Sequence, residues 1–297
     1  MAANVRTTTA SGLEALTLSC DLLHRVRRAD PRAGTWEAAD LQWWWRVPRV
    51  TDDLPQTFVV DDRGALATAR LTAWSGSWGL DVLRAPGVGA AWREVAEQAW
   101  QTAQQHGAPA VESLVTPDDG ELTGWLEDHG FAAAGEDGTG WLPAADRPDV
   151  PVLPDGYRLV DRSTRAEGEH PLVGRNGPQV EHRLQQVPLY DPHLDLAVLG
   201  PDEELAGYAL FWHDAATRVG LVEPVRVEEA HSGRGLAFAM VAAGLDRLAA
   251  AGSTALKVSW QTEPARRLYA RLGFTDPEVS TLLRRERSGA APGPRAT

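Results

Sequence analysis

Cysteine is almost missing from this sequence. The single thiol, Cys20, has no partner for an internal bridge, which excludes a disulfide framework. It shares one face of a helical repeat with Leu13, Leu16 and Leu23, so a buried, inert thiol is expected there. Long apolar runs are missing as well. No stretch approaches the roughly 18 consecutive apolar residues of a spanning helix, and the first thirty residues lack a basic segment leading into an apolar one. A cytoplasmic protein with no membrane partner is the expectation. Positive charge is in deficit: 29 Lys and Arg stand against 41 Asp and Glu, giving a formal net charge of −12. Clustered cations for a phosphate backbone are absent, which excludes nucleic acid as partner but suits cationic amine substrates. The run His24-Arg25-Val26-Arg27-Arg28 reads as a solvated helix end, where positive charge complements the dipole. No Cys or His cluster has ligand spacing, so no metal is expected. There is no Gly-x-Ser-x-Gly elbow and no Gly-x-x-x-x-Gly-Lys phosphate loop, which removes hydrolase and nucleotidase chemistry.

What is present is an ordinary globular composition, 43% apolar and 24% charged, in 297 residues. That length suits two domains of roughly 140 residues each. Between Pro143 and Gly156 the sequence PAADRPDVPVLPDG favours an extended linker. The expected layout is therefore a first domain over 1–142, a linker over 143–156, a second domain over 157–286 and a disordered tail, RSGAAPGPRAT, over 287–297. In the first half, helices are expected over 11–28, 89–105 and 120–129, with strands over 56–60, 65–72 and 110–115. In the second, strands are expected near 157–160, 194–199, 205–213, 219–227, 255–260 and 279–283, with helices opened by Pro178 and spanning 235–250 and 263–272. This is an α/β order. Both halves run through helix, strand, helix and Gly-Phe, which suggests an old duplication.

The segment Val225-Arg226-Val227-Glu228-Glu229-Ala230-His231-Ser232-Gly233-Arg234-Gly235-Leu236-Ala237 takes a strand through a Gly-rich turn into a helix. Such a turn presents backbone N–H groups and a helix dipole to an anion such as a pyrophosphate. Gly233 and Gly235 leave room for close approach, and Arg234 adds positive charge. By itself the Gly-x-Gly pattern is equally a plain helix entry. A second segment follows, Thr262-Glu263-Pro264-Ala265-Arg266-Arg267-Leu268-Tyr269-Ala270-Arg271-Leu272-Gly273-Phe274.

Together the two segments resemble the acyl-coenzyme A site of the GNAT superfamily of N-acetyltransferases, whose patterns run (Arg/Gln)-x-x-Gly-x-(Gly/Ala) and Asn-x-x-Ala-x-x-Leu-Tyr-x-x-x-Gly-Phe. The resemblance covers about residues 155 to 285, with Ser232 where Arg or Gln is usual and Thr262 where Asn is usual. Both substitutes keep a hydroxyl for hydrogen bonding. It implies a central mixed, mainly antiparallel sheet flanked by helices, and acetyl-CoA as cosubstrate. It implies that amides of Gly233, Arg234, Gly235, Leu236 and Ala237 hold the pyrophosphate, with Ser232, Arg226, Thr262 and Ala265 at the same cofactor site. Pantetheine would lie beside Val225 and Val227, and Tyr269 would protonate the departing thiolate. A Tyr at that spacing also suits core packing.

Attack on a thioester needs a base, because a protonated amine has no lone pair. Glu223 is the candidate, two residues before Val225, so strand alternation would put both on one face. Pro224 removes a ladder donor and argues for a bulge, which could break that alternation and free the Val225 amide for an oxyanion. A solvent-facing glutamate is the competing reading. His213 and His231 are alternative bases, each also suited to a turn.

The first half closes with Leu126-Glu127-Asp128-His129-Gly130-Phe131, but its turn region, Pro86-Gly87-Val88-Gly89-Ala90-Ala91-Trp92-Arg93, lacks the upstream basic or amide residue. Gly124-Trp125 stands where the tyrosine is needed. It looks like a degenerate copy, resembling tandem acetyltransferases of the mycothiol synthase type. Ten of the 12 tryptophans lie in this half, including Trp43-Trp44-Trp45; packing, or an aromatic-lined acceptor cleft, would account for them. Gly174-Arg175-Asn176-Gly177-Pro178 reads as a helix-opening turn or an acceptor-side wall. The expected activity is transfer of an acyl group, acetyl above all, to a small-molecule amine, with a protein amine also open. The competitor is a non-catalytic acyl-CoA sensor or scaffold.

Overall fold

Runs such as Phe58-Val59-Val60 and Leu194 to Leu199 combine β-branched and large apolar side chains, which fit a pleated, buried surface. Segments with apolar residues three and four apart, such as Trp92, Val95, Ala96, Ala99, Trp100 and Ala103, bury one helical face instead. In the computed structural model, which describes residues 5–165 and 168–287, these patterns become, in chain order, β1 (Arg6–Ala10), α1 (Gly12–Ala29), α2 (Ala38–Trp45), β2 (Gln56–Asp61), β3 (Gly64–Ala73), β4 (Trp78–Arg84), α3 (Trp92–Gln105), β5 (Ala110–Val115), α4 (Gly120–Asp128) and β6 (Ala132–Pro143). Then come β7 (Arg158–Asp161), α5 (Val173–Asn176), α6 (Val180–Leu184), β8 (Asp195–Leu199), β9 (Leu205–Asp214), β10 (Val219–Val227), α7 (Leu236–Ala250), β11 (Ala255–Trp260), α8 (Glu263–Arg271) and β12 (Thr275–Glu286). The expected tail lies outside the described residues except for Arg287. On α1, Leu16, Cys20 and Leu23 are buried as expected, but Leu13 is exposed at 41%. Among the described residues no helix is long and apolar enough to cross a membrane.

The chain divides into two compact units. One takes residues 1–38, 48–137 and 279–297; the other takes 39–47 and 138–278. The sheet of the first unit runs β1-β2-β3-β4-β5-β12, antiparallel except for the parallel β4–β5 pair. Leu71, Leu80, Trp92, Trp100, Leu126 and Phe131 fill its core. The sheet of the second unit runs β6-β11-β10-β9-β8-β7, antiparallel except for β10–β11. The two orders match strand for strand if β12 and β6 are exchanged. Residues 138–143 pair with β11 and belong to the second unit, whereas Thr281–Glu286 pairs with β5 and belongs to the first.

The core of the second unit joins α7 to the sheet through Leu196, Val198, Phe211, Val222, Met240, Leu245, Leu256 and Val258. Its closest approach is at Gly244, where an added Cβ would lie 2.0 Å from Phe211 Cζ. Both partners sit on regular elements that cannot yield locally. Gly244→Ala is therefore expected to cost about 1–3 kcal/mol through overpacking, despite the better helix propensity of alanine, and urea unfolding of the variant checks it.

Candidate active site

The strand, turn and helix that suggested an anion cradle lie together in the second unit. After β10 a short turn over Glu229–His231 leads to Ser232, Gly233, Arg234 and Gly235, and α7 begins at Leu236. Gly233 has φ 76° and Gly235 has φ 80°, in the left-handed region where a side chain costs energy, and nothing lies within 4 Å of either missing Cβ. Among the described residues, no acceptor engages the amides of residues 233 to 238. This is the free first turn of a helix, with no side-chain cap. Ser232, Arg234 and both glycines are exposed, Ala237 is half-buried and Leu236 is buried in the core. The chemistry offered is a set of unpaired donors beside the Arg234 cation at the positive end of a fifteen-residue helix.

Beside that turn the sheet opens. The parallel pairing of β10 with β11 runs only from Val219↔Ala255 to Leu221↔Lys257, although β10 continues to Val227 and β11 to Trp260. The expected bulge sits where the strands part. Val222 is paired with Phe211 and Val225 with Ala209, so Glu223 and Pro224 together stand against Leu210 alone; the Glu223–Pro224 peptide is cis. The alternation argument fails here, because the extra residue turns the strand over. Val225 and Val227 pack toward the core under α7, while Glu223 meets Asp40 and Trp43 of α2. The backbone is pinned by Trp212, whose indole N–H donates to the Glu223 carbonyl at 2.8 Å. Arg226 lies opposite Tyr208 and reaches Glu228 at 3.3 Å.

Tyr269 lies on the last turn of α8 and is 6% exposed, flanked by Trp260 and Phe274 at ring separations of 6.2 and 5.9 Å. Burial, and then the charge of Glu223, hold its hydroxyl protonated well above the ordinary phenol range. The sequence-predicted base and acid are thus electrostatic neighbours. Burial and then the charge of Asp40 push the Glu223 carboxyl up to about 8, against the opposing pull of Arg46. Thr262 caps α8, its hydroxyl accepting from the Ala265 amide at 3.4 Å, so the residue pair expected at the cofactor site also holds this helix in place. The two histidines are engaged elsewhere: His213 with Ser253 at 2.8 Å and His231 with the Tyr157 hydroxyl at 3.0 Å.

Asp40 and Arg46 escaped the sequence reading as site residues, and Trp43 entered it only as part of a tryptophan run that could line an acceptor cleft. Asp40, Trp43 and Arg46 come from α2 and the turn after it, within residues 39–47 of the second unit. The Arg46 guanidinium lies 3.6 Å from the Trp43 ring centroid and donates to Asn176 at 2.7 Å, which brings the suspected Gly174–Pro178 wall into the site. The Trp43–Trp44–Trp45 run was the available signal. Trp43 packs edge-on against Trp212 at 6.3 Å, and Trp45 donates to Gln186 at 2.8 Å. Asp40 carried no signal of its own. Among the described residues no group of three His, Cys, Asp or Glu is placed to hold a metal ion.

Residues 162–274, which contain the cradle, the bulge and Tyr269, match the Acetyltransferase (GNAT) family. This segment is a GNAT acetyltransferase domain. A 134-residue stretch is 34% identical to mycothiol acetyltransferase of Clavibacter michiganensis; the match takes in 44% of this chain and 43% of that protein, less than half of either. In fold the whole chain is similar to a tandem GNAT protein from the clavulanic acid biosynthesis pathway, with TM-score 0.68 at 16% identity over 99% of this chain and 100% of that one. It is also similar to a GNAT protein from Sphaerobacter thermophilus, with TM-score 0.60 at 21% identity over 94% and 95% of the two chains. The chain therefore has the tandem GNAT fold, and its second unit carries the acetyltransferase segment.

Proposed function

We propose that the protein transfers an acetyl group from acetyl-CoA to the amine of a small-molecule acceptor, by direct attack within a ternary complex in the second unit. What supports this reading is that Glu223 stands where β10 parts from β11 and is an electrostatic neighbour of Tyr269, in the same unit as the unpaired amides that begin α7. The donors of Gly233 to Ala237 and the Arg234 cation suit a diphosphate, and the unpaired edge of β10 at Val225 and Val227 suits the amide-bearing pantetheine arm. Glu223 takes the amine's proton, the Val225 amide faces the thioester oxygen, and Tyr269 supplies a proton to the sulfur. A hydroxyl with a raised pKa in an apolar setting is suited to give a proton only as a thiolate forms. The first unit, with Gly124-Trp125 where a tyrosine would stand, acts as the degenerate copy.

Retention of both groups favours catalysis over an acyl-CoA sensor. The likeness to a mycothiol acetyltransferase makes small-molecule amines the first acceptors to try in a thiol-release assay with an amine panel. Because Glu223 must lose its proton before it can accept another, kcat/KM is expected to rise with pH along a limb centred near 8 and flatten above it. A limb at the ordinary carboxylate range near 4 would contradict the assignment.

A further inference from the structure

Alternation along β9 and β10 separates the two faces of the second sheet. Ala209, Phe211, Val225 and Val227 turn toward α7, so Tyr208 and Arg226, which stand directly opposite one another, turn to the other face, where Trp212 meets Trp43. Three guanidiniums gather on that face in a connected chain. Arg46 lies 3.6 Å from the Trp43 ring and donates through Nε to Asn176 at 2.7 Å; the neighbouring Arg175 reaches Glu228 at 3.5 Å, and Glu228 meets Arg226 at 3.3 Å. One carboxylate thus serves two arginines, so the patch keeps a positive excess in a chain whose net charge is −12. Its donors are not used up. Among the described residues, Nη2 of Arg46 and both terminal nitrogens of Arg226 have no hydrogen-bond partner. Tyr208 is the sharper sign. It is 4% exposed, its hydroxyl has no hydrogen-bond partner among the described residues, and all three arginines act on that oxygen. A phenol O–H buried without an acceptor costs free energy, which an incoming oxygen anion would recover.

We propose, on the footing of the acetyl-transfer reading above, that Tyr208, Arg46 and Arg226, with Arg175 at the rim, form a subsite that binds an oxygen anion of the acceptor, a carboxylate or a phosphate, while the acceptor's amine faces Glu223. The hydroxyl donates one hydrogen bond and each guanidinium fork can donate two in parallel, a geometry that suits both anions. Tyr208 lies two residues along β9 from Leu210, which faces Glu223 and Pro224 across the bulge, so anion and amine are held roughly 7 Å apart along the strand. A compact molecule with an amine at one end and an anion at the other spans that distance. An amine without an anionic group leaves the subsite empty. Zwitterionic amines are therefore the preferred acceptor class.

The test uses the full chain and two readouts. Tryptophan fluorescence, to which Trp43 beside Arg46 contributes, is titrated with N-acetyl-γ-aminobutyrate and N-acetylphosphoethanolamine and with their uncharged counterparts; none of these carries a free amine, so they read the anion alone. Thiol release is then measured with γ-aminobutyrate against its amide and with phosphoethanolamine against ethanolamine. The anionic member is expected to be favoured by about tenfold or more in both Kd and kcat/KM, and the pair with the larger ratio identifies carboxylate or phosphate. Tyr208→Phe and Arg226→Gln are each expected to cut that ratio by about threefold or more, and the ratio cancels any loss common to both members of a pair. Arg175→Gln, at an exposed side chain, serves if Arg226→Gln does not fold. Equal binding of the anions and their uncharged counterparts, or a ratio that no variant lowers, overturns the subsite. A preference in binding with no thiol released from any amine leaves the subsite standing and removes the acetyl-transfer reading.

Discussion

Glu223→Gln is expected to lower kcat/KM about 10²- to 10⁴-fold, the range usual for loss of a positioned general base, with acetyl-CoA affinity within a factor of about two of the wild type. Glutamine is close in shape to the protonated carboxyl present at neutral pH. Its amide can donate to Asp40 and its oxygen can accept from Trp43, the two partners Glu223 has now. The fold should survive, and the loss should be largest at high pH, where the wild type is most active. Stopped-flow or steady-state thiol release across pH 6–10 on the order of one-unit steps reads this directly. Retention of the pH limb in the glutamine variant would assign the base elsewhere.

Tyr269→Phe is the second large effect, a fall in kcat of about 10- to 10³-fold with donor KM little changed. The ring sits between Trp260 and Phe274, and phenylalanine preserves that packing, so the variant isolates the hydroxyl. A structural role alone would appear as lost stability with kcat intact. A catalytic role predicts the reverse, and it also predicts that acyl donors with a more acidic leaving thiol lose less than acetyl-CoA does.

Much of this site was written locally. The glycine turn, the helix after it, the bulge announced by Pro224 and the tyrosine four residues before Gly273 each follow from neighbouring residues, because backbone conformation and helical spacing are short-range properties. Three things were not legible, for one shared reason. The facing of Glu223 depended on how many residues the bulge absorbs, which the partner strand decides: Leu210 stands alone against two residues. The exchange of β6 and β12 depends on which edge each strand finds, and alternation states only that an edge exists. Asp40 lies in a short helix, AADLQWWW, that is buried nearly all round and so lacks the one-sided periodicity that marks a helix in sequence. Its partner is Glu223, far along the chain, and no local pattern connects them.

The account stands on the free amides that begin α7. Calorimetric titration of the full chain with acetyl-CoA, repeated on Gly235→Val, tests them most directly. Binding with a Kd on the order of 1–100 µM is predicted for the wild type, and weakening by about tenfold or more for the variant, whose side chain cannot occupy φ 80° without strain and projects into the cradle. No measurable heat or affinity with the wild type, or equal binding by the two proteins, would contradict it.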